Sequence, residues 1–549
     1  MSFVIYRGVE DADLANEYMA SCNIEAWNNR MLKYEEHGKT ILDIRLASIE
    51  KGPAEGITVD NAEFKGQNFR VSRGDASQFL KKMVEEISLA REYCANETEI
   101  NMLDKYIECF TKGSIQAHKD GSAFWVKNKS PAVETYMGYI EVLRDPTNQR
   151  AEFESFVAVV NREQSRKFDT LVSRAEQEFL PLLPWSKEFE ADVFSRPDFS
   201  SLDVVTFACS GLPIGINIPN YDDVREEQGS KNVSLTNVMS AHAGVRGGPF
   251  LSKEDTQLKE KYGSTSLEIQ VGLHELLGHG CGKILRVKDD GTLNFDQEKV
   301  KNPYTGEPAT HYQKGETYNS KFSNRASAYE ECRAECVAMY LGLVDEILDV
   351  FSVAEEDREN IKYVSWLDMF YAGIKGLEMY QPKQSKWGQA HSMARFVILR
   401  VALEEGDGVV NVVETKGEDG LPDLLLTVDR SKIHTSGHKA IGNFLQKLQV
   451  YRSMGDSEAG RALFEKYSEV LMEGSHPFGK WHEIVVRKRK PRMVLIMPNT
   501  RIVGEEVELI SYPETPESMV TSWVDRFAPK QHDFIEESLT AFTASWSRA

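Results

Sequence analysis

Long apolar runs are missing from this chain: nowhere do the ~18 consecutive apolar residues of a membrane span occur. The opening residues, MSFVIYRGVEDADL, show no basic stretch followed by an apolar one, so no secretory signal is expected. Cysteine is scarce: seven in 549 residues, an odd count. That excludes a disulfide framework and sets the expectation of a reduced, cytoplasmic protein. Positive charge is outnumbered, 65 Lys and Arg against 85 Asp and Glu, for a net charge of −20. A surface that acidic argues against nucleic acid or an anionic membrane as the main partner. Internal repeats and low-complexity segments are also lacking. What remains is ordinary globular composition, 41% hydrophobic and 27% charged, with ample apolar material for a core. At about 150 residues per domain, the length allows roughly three to four units or two large ones.

The patterning changes along the chain. Residues 1–150 read as mixed, with helical stretches at 76–93 and 102–110 and a strand-like run at 40–47. Apolar residues at spacings of three and four predict helix over 153–182. The segment 201–237, with the glycines and prolines of Gly211 to Asn220, reads as loop. Helical patterns dominate from about 252 to 475. They are interrupted by a hairpin, 409–415 and 424–428 around Gly417 to Gly420. Strand-like runs return at 483–486, 494–497 and 506–510, and a last helix is expected over 515–545. Mixed, helical, then mixed again suggests two lobes, one closed by both ends of the chain.

The informative segment is His274-Glu275-Leu-Leu-Gly278-His279-Gly280. Thr265 with Glu268 reads as a capping box opening its helix, and Gly280 and Gly282 suit its end. A histidine, a glutamate directly after it and a second histidine resemble the His-Glu-x-x-His pattern, where both imidazoles share one helical face. Here an extra residue makes the histidines i and i+5, about 140° apart on a regular helix. Joint service to one ion requires a π-type bulge, for which Gly278 is the permissive residue.

A second box, Glu330-Glu331-Cys332-Arg333-Ala334-Glu335, lies on a helical pattern. Glu331 and Glu335 share a face, with Glu330 adjacent. Three carboxylates so close repel unless something positive organises them. A zinc ion does so, taking two histidines, a glutamate and a water, while the remaining carboxylates orient the histidines.

Together the two boxes resemble the dipeptidyl peptidase III family of zinc exopeptidases (M49). The resemblance runs from about Glu25 to near the C-terminus. It takes in Asn217-Ile-Pro-Asn220, Lys231-Asn-Val-Ser-Leu, Gln389-Ala-His391-Ser-Met-Ala-Arg395 and Pro498-Asn-Thr-Arg501. It implies an α+β fold of two lobes across a wide cleft, one mostly helical and carrying the zinc, the other mixed with a β-barrel core. By resemblance the mixed lobe comprises 1–161, 200–245 and 491–549, and the helical lobe 162–199 and 246–490. The family pattern begins further upstream than this chain, so an N-terminally reduced barrel lobe is expected.

The resemblance also assigns roles. His274, His279 and Glu331 are the implied ligands of one Zn²⁺ per chain. Glu275 is the implied general base toward a zinc-activated water, and Glu330 and Glu335 orient the histidines. His391 stabilises the tetrahedral intermediate. Glu141, Asn217 and Asn220 hold the substrate's N-terminal dipeptide, and Arg492 contacts the peptide further along. The implied activity is release of dipeptides from short peptides with a free N-terminus, by a monomer without nucleic-acid or membrane partners.

Two departures qualify this. The family's tyrosine two residues after the position of Glu141 is here Leu143, which keeps open an alternative: a weakly active or inactive peptide-binding protein on the same scaffold. An upstream Glu134-Thr-Tyr136 copies the spacing but falls in the wrong register. The aspartate that favours basic side chains in some members is here Asn319, so no such preference is implied. Elsewhere, Gly278 to Lys283 lacks phosphate-loop spacing, and Arg487 to Lys490 reads as a solvated strand edge. Cys281, Cys332 and Cys336 read as buried structural thiols, and His434 and His438 as capping or surface residues.

Overall fold

The computed structural model describes residues 9–544 apart from 55–56, 58–60, 130, 144, 146, 195–197, 210, 244–247, 289, 490–494, 514 and 528. It is an α+β protein of two lobes, one built on sheets and one on helices, facing each other across a cleft. The sheet lobe opens with the Val9–Ser21 helix and a four-stranded sheet. In that sheet Lys39–Ala47 pairs antiparallel with Asn29–Glu36 and parallel with Gln67–Asp75, which also pairs with Asn61–Phe64. Its small core sets Ala15, Tyr18 and Met19 of the helix against Ile44, Phe69 and Val71.

Three helices, Ser77–Ala90, Glu97–Lys112 and Ile115–Lys127, follow. Asn96 and Ser114 cap the latter two through their side chains. They pack on a five-stranded sheet whose spatial order is Val133–Tyr139, Phe153–Val160, Asp198–Ala208, Lys231–Leu235, Gly215–Ile218. This sheet curls into a half-barrel. Its short last strand, Gly215–Ile218, lies on the cleft side against the helical lobe.

The helical lobe has a continuous core. Leu273, Leu276 and Leu277 meet Cys332, Cys336 and Val337 of the Ala326–Leu341 helix and Phe396 to Leu399 of the Ala390–Glu405 helix, with Trp366 at full burial. Phe168 of the Arg162–Arg174 helix and Phe199 at the start of the Asp198–Ala208 strand belong to this core, although that strand and Phe153–Val160 before it belong to the half-barrel. The chain therefore passes from sheet to helices and back before committing to the helical lobe.

Several sequence expectations need correction. Residues 153–160 are a strand, and helix begins only at Arg162. Apolar side chains stand on both faces there (Phe156 and Ala158 inward, Val157 and Val159 outward), which mimics helical spacing. The expected loop at 201–237 holds three strands and the Asp222–Gln228 helix; it lacks amphipathic alternation because Asp198–Ala208 is covered on both faces. Residues 483–486 lie in the Phe478–Arg487 helix, so the basic run from Arg487 ends a helix rather than edging a sheet. The last helix is two, Pro516–Arg526 and Pro529–Ala544. The helix bearing His274 starts at Lys253, where Ser252 Oγ accepts from Asp255 N–H at 3.0 Å, so Thr265 lies in its middle. The hairpin is present as Val410–Lys416 and Pro422–Val428. Cys281, Cys332 and Cys336 are buried and free.

Candidate metal centre

The Lys253–Leu273 helix runs directly into a π-helical turn, His274–His279. The wider turn absorbs the extra residue, and the two imidazoles that would point 140° apart converge, Nε2 to Nε2 3.1 Å. Glu331, from the facing Ala326–Leu341 helix, puts Oε2 3.3 Å from His274 Nε2 and 3.7 Å from His279 Nε2. One donor atom from each of the three residues lies within 4.8 Å of the others.

The outer nitrogens are equally well provided for. His274 Nδ1 lies 3.4 Å from Glu335, and His279 Nδ1 3.3 Å from Glu330. An Nδ1–H that donates to a carboxylate leaves the lone pair on Nε2, as a metal ligand requires. The two carboxylates are themselves held. Glu335 pairs with Arg395 at 2.7 Å and accepts from Gln270 Nε2 at 2.7 Å. Glu330 meets Arg333 Nε at 3.1 Å and Arg452 at 2.9 Å. Burial pushes both carboxyls up, but these cations and His274 outweigh it and hold both well below the usual carboxylate range. The residues therefore fit a divalent cation. Glu331 Oε2 is buried between the Nε2 atoms of His274 and His279, an arrangement that a divalent cation answers.

Glu275 is buried beside this group, with no ion pair reaching its carboxyl among the described residues. Burial, with repulsion from Glu331 and Glu141, pushes it up to about 8 against the pull of His274. The Gly215–Ile218 strand lies directly over it: a Cβ on Gly215 would stand 2.8 Å from Glu275 Oε1 and 2.8 Å from Val271. His391, at the start of the Ala390–Glu405 helix, brings Nε2 to 3.1 Å from Glu331 Oε2.

Across the cleft, Asn217 and Asn220 are fixed by Arg225, which donates to both side-chain oxygens, to Asn220 at 3.3 Å. Asn220 Nδ2 donates to the Ile140 carbonyl at 3.0 Å, which seats it beside Glu141. Burial and the Glu331 charge raise the Glu141 carboxyl to about 7, opposed by Asn220, His391 and Arg225. Glu134 is spent elsewhere, 2.7 Å from the buried Lys231 and accepting from Trp125 Nε1 at 2.7 Å.

His274, Glu275, His279, Glu330, Glu331, Glu335, His391, Glu141, Asn217 and Asn220, with Leu143 and Asn319, line one cleft of about 1650 Å³. That is larger than a drug-sized pocket and suits an extended peptide. Arg492 lies outside the described residues. Arg333, Gln389 and Arg395 stand inside the sequence motifs, which by themselves give them no role. Arg225 and Gln270 carried no sequence signal and are found only in the fold.

Two imidazoles and a carboxylate beside a separate buried carboxylate are the chemistry of a metallopeptidase. Comparison with known proteins is specific. The model of "Peptidase family M49" matches residues 7–527. Dipeptidyl peptidase 3 of Mus musculus is 46% identical over 98% of this chain and 74% of its own length, and that of Homo sapiens gives the same figures. The Dictyostelium discoideum protein of that name is 38% identical over 96% of this chain and 74% of its own. The solved dipeptidyl-peptidase III from Corallococcus sp. strain EGB shares the fold, with TM-score 0.56 at 17% identity, covering 78% of this chain and 71% of that one. The chain belongs to peptidase family M49, the dipeptidyl peptidase III family of metallopeptidases.

Proposed function

We propose that this chain is a zinc-dependent exopeptidase that releases dipeptides from the free N-terminus of short peptides. The observation that carries it is the convergence of the His274 and His279 nitrogens with Glu331 Oε2, in the same cleft as an ammonium anchor of one carboxylate and two amides. His274, His279 and Glu331 would hold the ion. The donor set suits zinc, although cobalt and manganese accept the same donors. When bound, the ion supplies Lewis acidity toward water and the scissile carbonyl.

The chain's own residues do the rest. Glu275 takes the proton of the attacking water and delivers it to the leaving amine. His391 donates to the oxygen on which negative charge develops. Glu141 receives the substrate's α-ammonium, with Asn217 and Asn220 beside it, and so sets the cut two residues in. Glu330 and Glu335 keep the ligand imidazoles in their working tautomers.

The test is a panel of unblocked peptides of about four to eight residues with mass-spectrometric readout. Zinc-loaded protein removes two N-terminal residues at a time; chelated protein and N-acetylated peptides give nothing. Folded, zinc-loaded protein without any cleavage would instead favour the peptide-binding alternative motivated by Leu143.

Glu141 gives this reading a pH signature. Its anchoring form is the carboxylate, and burial beside Glu331 raises it to about 7 without a cation. A cation on Glu331 offsets part of that repulsion, so in the loaded enzyme the titration falls between the ordinary carboxylate value and 7. As pH drops through this window, kcat/KM for free peptides falls about tenfold per unit through KM. Glu141→Gln removes the acid limb and leaves kcat/KM uniformly low. An acid limb that survives the substitution would assign it to another group.

A further inference from the structure

Three imidazole Nε2 atoms surround Glu331 Oε2: His274 at 3.3 Å, His279 at 3.7 Å and His391 at 3.1 Å. Each ring's role depends on which nitrogen carries the proton, and the partner at Nδ1 decides that. For His274 and His279 the partner is a carboxylate. For His391 it is the side-chain amide of Gln389, with Nε2 of the glutamine 3.0 Å from Nδ1 of the ring.

The orientation of that amide is fixed independently. Gln389 is the N-cap of the Ala390–Glu405 helix, and its Oε1 accepts from the backbone N–H of Ser392 at 2.6 Å. A backbone N–H can only donate, so the amide oxygen must face Ser392. The NH₂ group then faces His391, and an NH₂ can only donate as well. Nδ1 of His391 is therefore the acceptor, and the single proton of the neutral ring sits on Nε2.

We propose that Gln389 is a positioning residue that sets His391 in the Nε2–H tautomer, opposite to that of His274 and His279, so that His391 faces the reacting carbonyl as a donor and cannot act as a fourth ligand. This rests on the role of His391 proposed above. It also explains an unusual cap. Ser, Thr, Asp and Asn are the common N-caps. A serine or threonine hydroxyl or an aspartate would satisfy Ser392, but only a long amide both accepts from the helix and donates to the ring.

The test uses the full chain, zinc-loaded, with ¹⁵N-labelled histidine and His391→Ala to assign the ring signals. Above neutral pH, long-range ¹H–¹⁵N spectra should place the His391 proton on Nε2. Gln389→Glu keeps the cap, since a carboxylate still accepts from Ser392, but offers His391 an acceptor, and a proton should appear on Nδ1. Gln389→Ser keeps the cap and leaves Nδ1 to water; kcat should fall about 3- to 30-fold, less than the 10²–10³ of removing a donor outright, with KM within about twofold. A proton on Nδ1 in the parent protein, or a Gln389→Glu ring still bare at Nδ1, would overturn the proposal. Unchanged kcat in His391→Ala would sink the oxyanion role alone, because the spectra report the tautomer whether or not that role holds.

Discussion

With Glu275 as the proposed general base, Glu275→Gln is expected to lower kcat by about 10²–10⁴-fold, with zinc content and KM close to those of the parent. The substitution is isosteric, which matters here because the Gly215–Ile218 strand leaves no room for anything larger. The size of the loss follows from what the other carboxylates are doing. Glu330 is engaged by Arg333, Arg452 and His279, and Glu335 by Arg395, Gln270 and His274. Both stand well below the ordinary carboxylate range and are poor proton acceptors. Glu331 faces three imidazoles that hold it low despite burial. Of the five glutamates gathered at the site, Glu275 and Glu141 are the two with raised affinities for a proton, and Glu141 is occupied by the substrate's ammonium in the proposed complex. Metal analysis and dipeptide release on the same preparation check the expectation. Turnover above a few per cent of the parent would move the base elsewhere, and Glu141→Gln in the same background would show whether it had moved there.

The site was more legible in the sequence than the fold around it, and the reason is physical. Histidines five apart cannot share an ion on a regular helix, so reading them as a metal pair called for the π turn that His274–His279 forms. Carboxylates crowded on one helix needed a positive neighbour, and they have histidines and arginines. Strands were harder. Phe153–Val160 carries apolar residues on both faces, so helical and strand periods fit equally well until the sheet partners are known. Gly215–Ile218 hides in a stretch of glycine and proline that reads as a break, yet the missing side chain of Gly215 is what lets the strand approach Glu275. Arg225 lies in a short helix whose sequence, Asp-Asp-Val-Arg-Glu-Glu-Gln, looks like solvated surface. Its hydrogen bonds to Asn217 and Asn220 arise from a chain reversal that no local pattern encodes.

Gly278→Ala weakens zinc binding at least tenfold and lowers the thermal stability of the protein, although the new residue is a better helix former than the old. Gly278 has no positive φ to excuse it; what it provides is space. A Cβ there would stand 2.8 Å from Ala334 Cβ, 2.9 Å from Ala334 Cα and 3.1 Å from the Ala334 carbonyl oxygen. Two of these contacts are with backbone, which cannot rotate away, so the π turn and the Ala326–Leu341 helix must separate by several tenths of an ångström. Overpacking of this kind costs about 1–3 kcal/mol. The separation also acts on the proposed ligands, because His279 adjoins Gly278 on one element and Glu331 precedes Ala334 by one helical turn on the other. Arg333 resists it from the same place, donating to the Gly278 carbonyl at 2.6 Å, so part of the strain goes into the Arg333–Glu330–His279 chain. Metal sites tolerate displacements of only about 0.5 Å. Competition with a chelating dye measures the loss, and Ala334→Gly provides the control. The double substitution Gly278→Ala with Ala334→Gly removes the nearest clashing atom and should recover more affinity than the two single changes predict additively. Parent-like affinity in Gly278→Ala alone would mean that the two helices do not set the distance between His279 and Glu331.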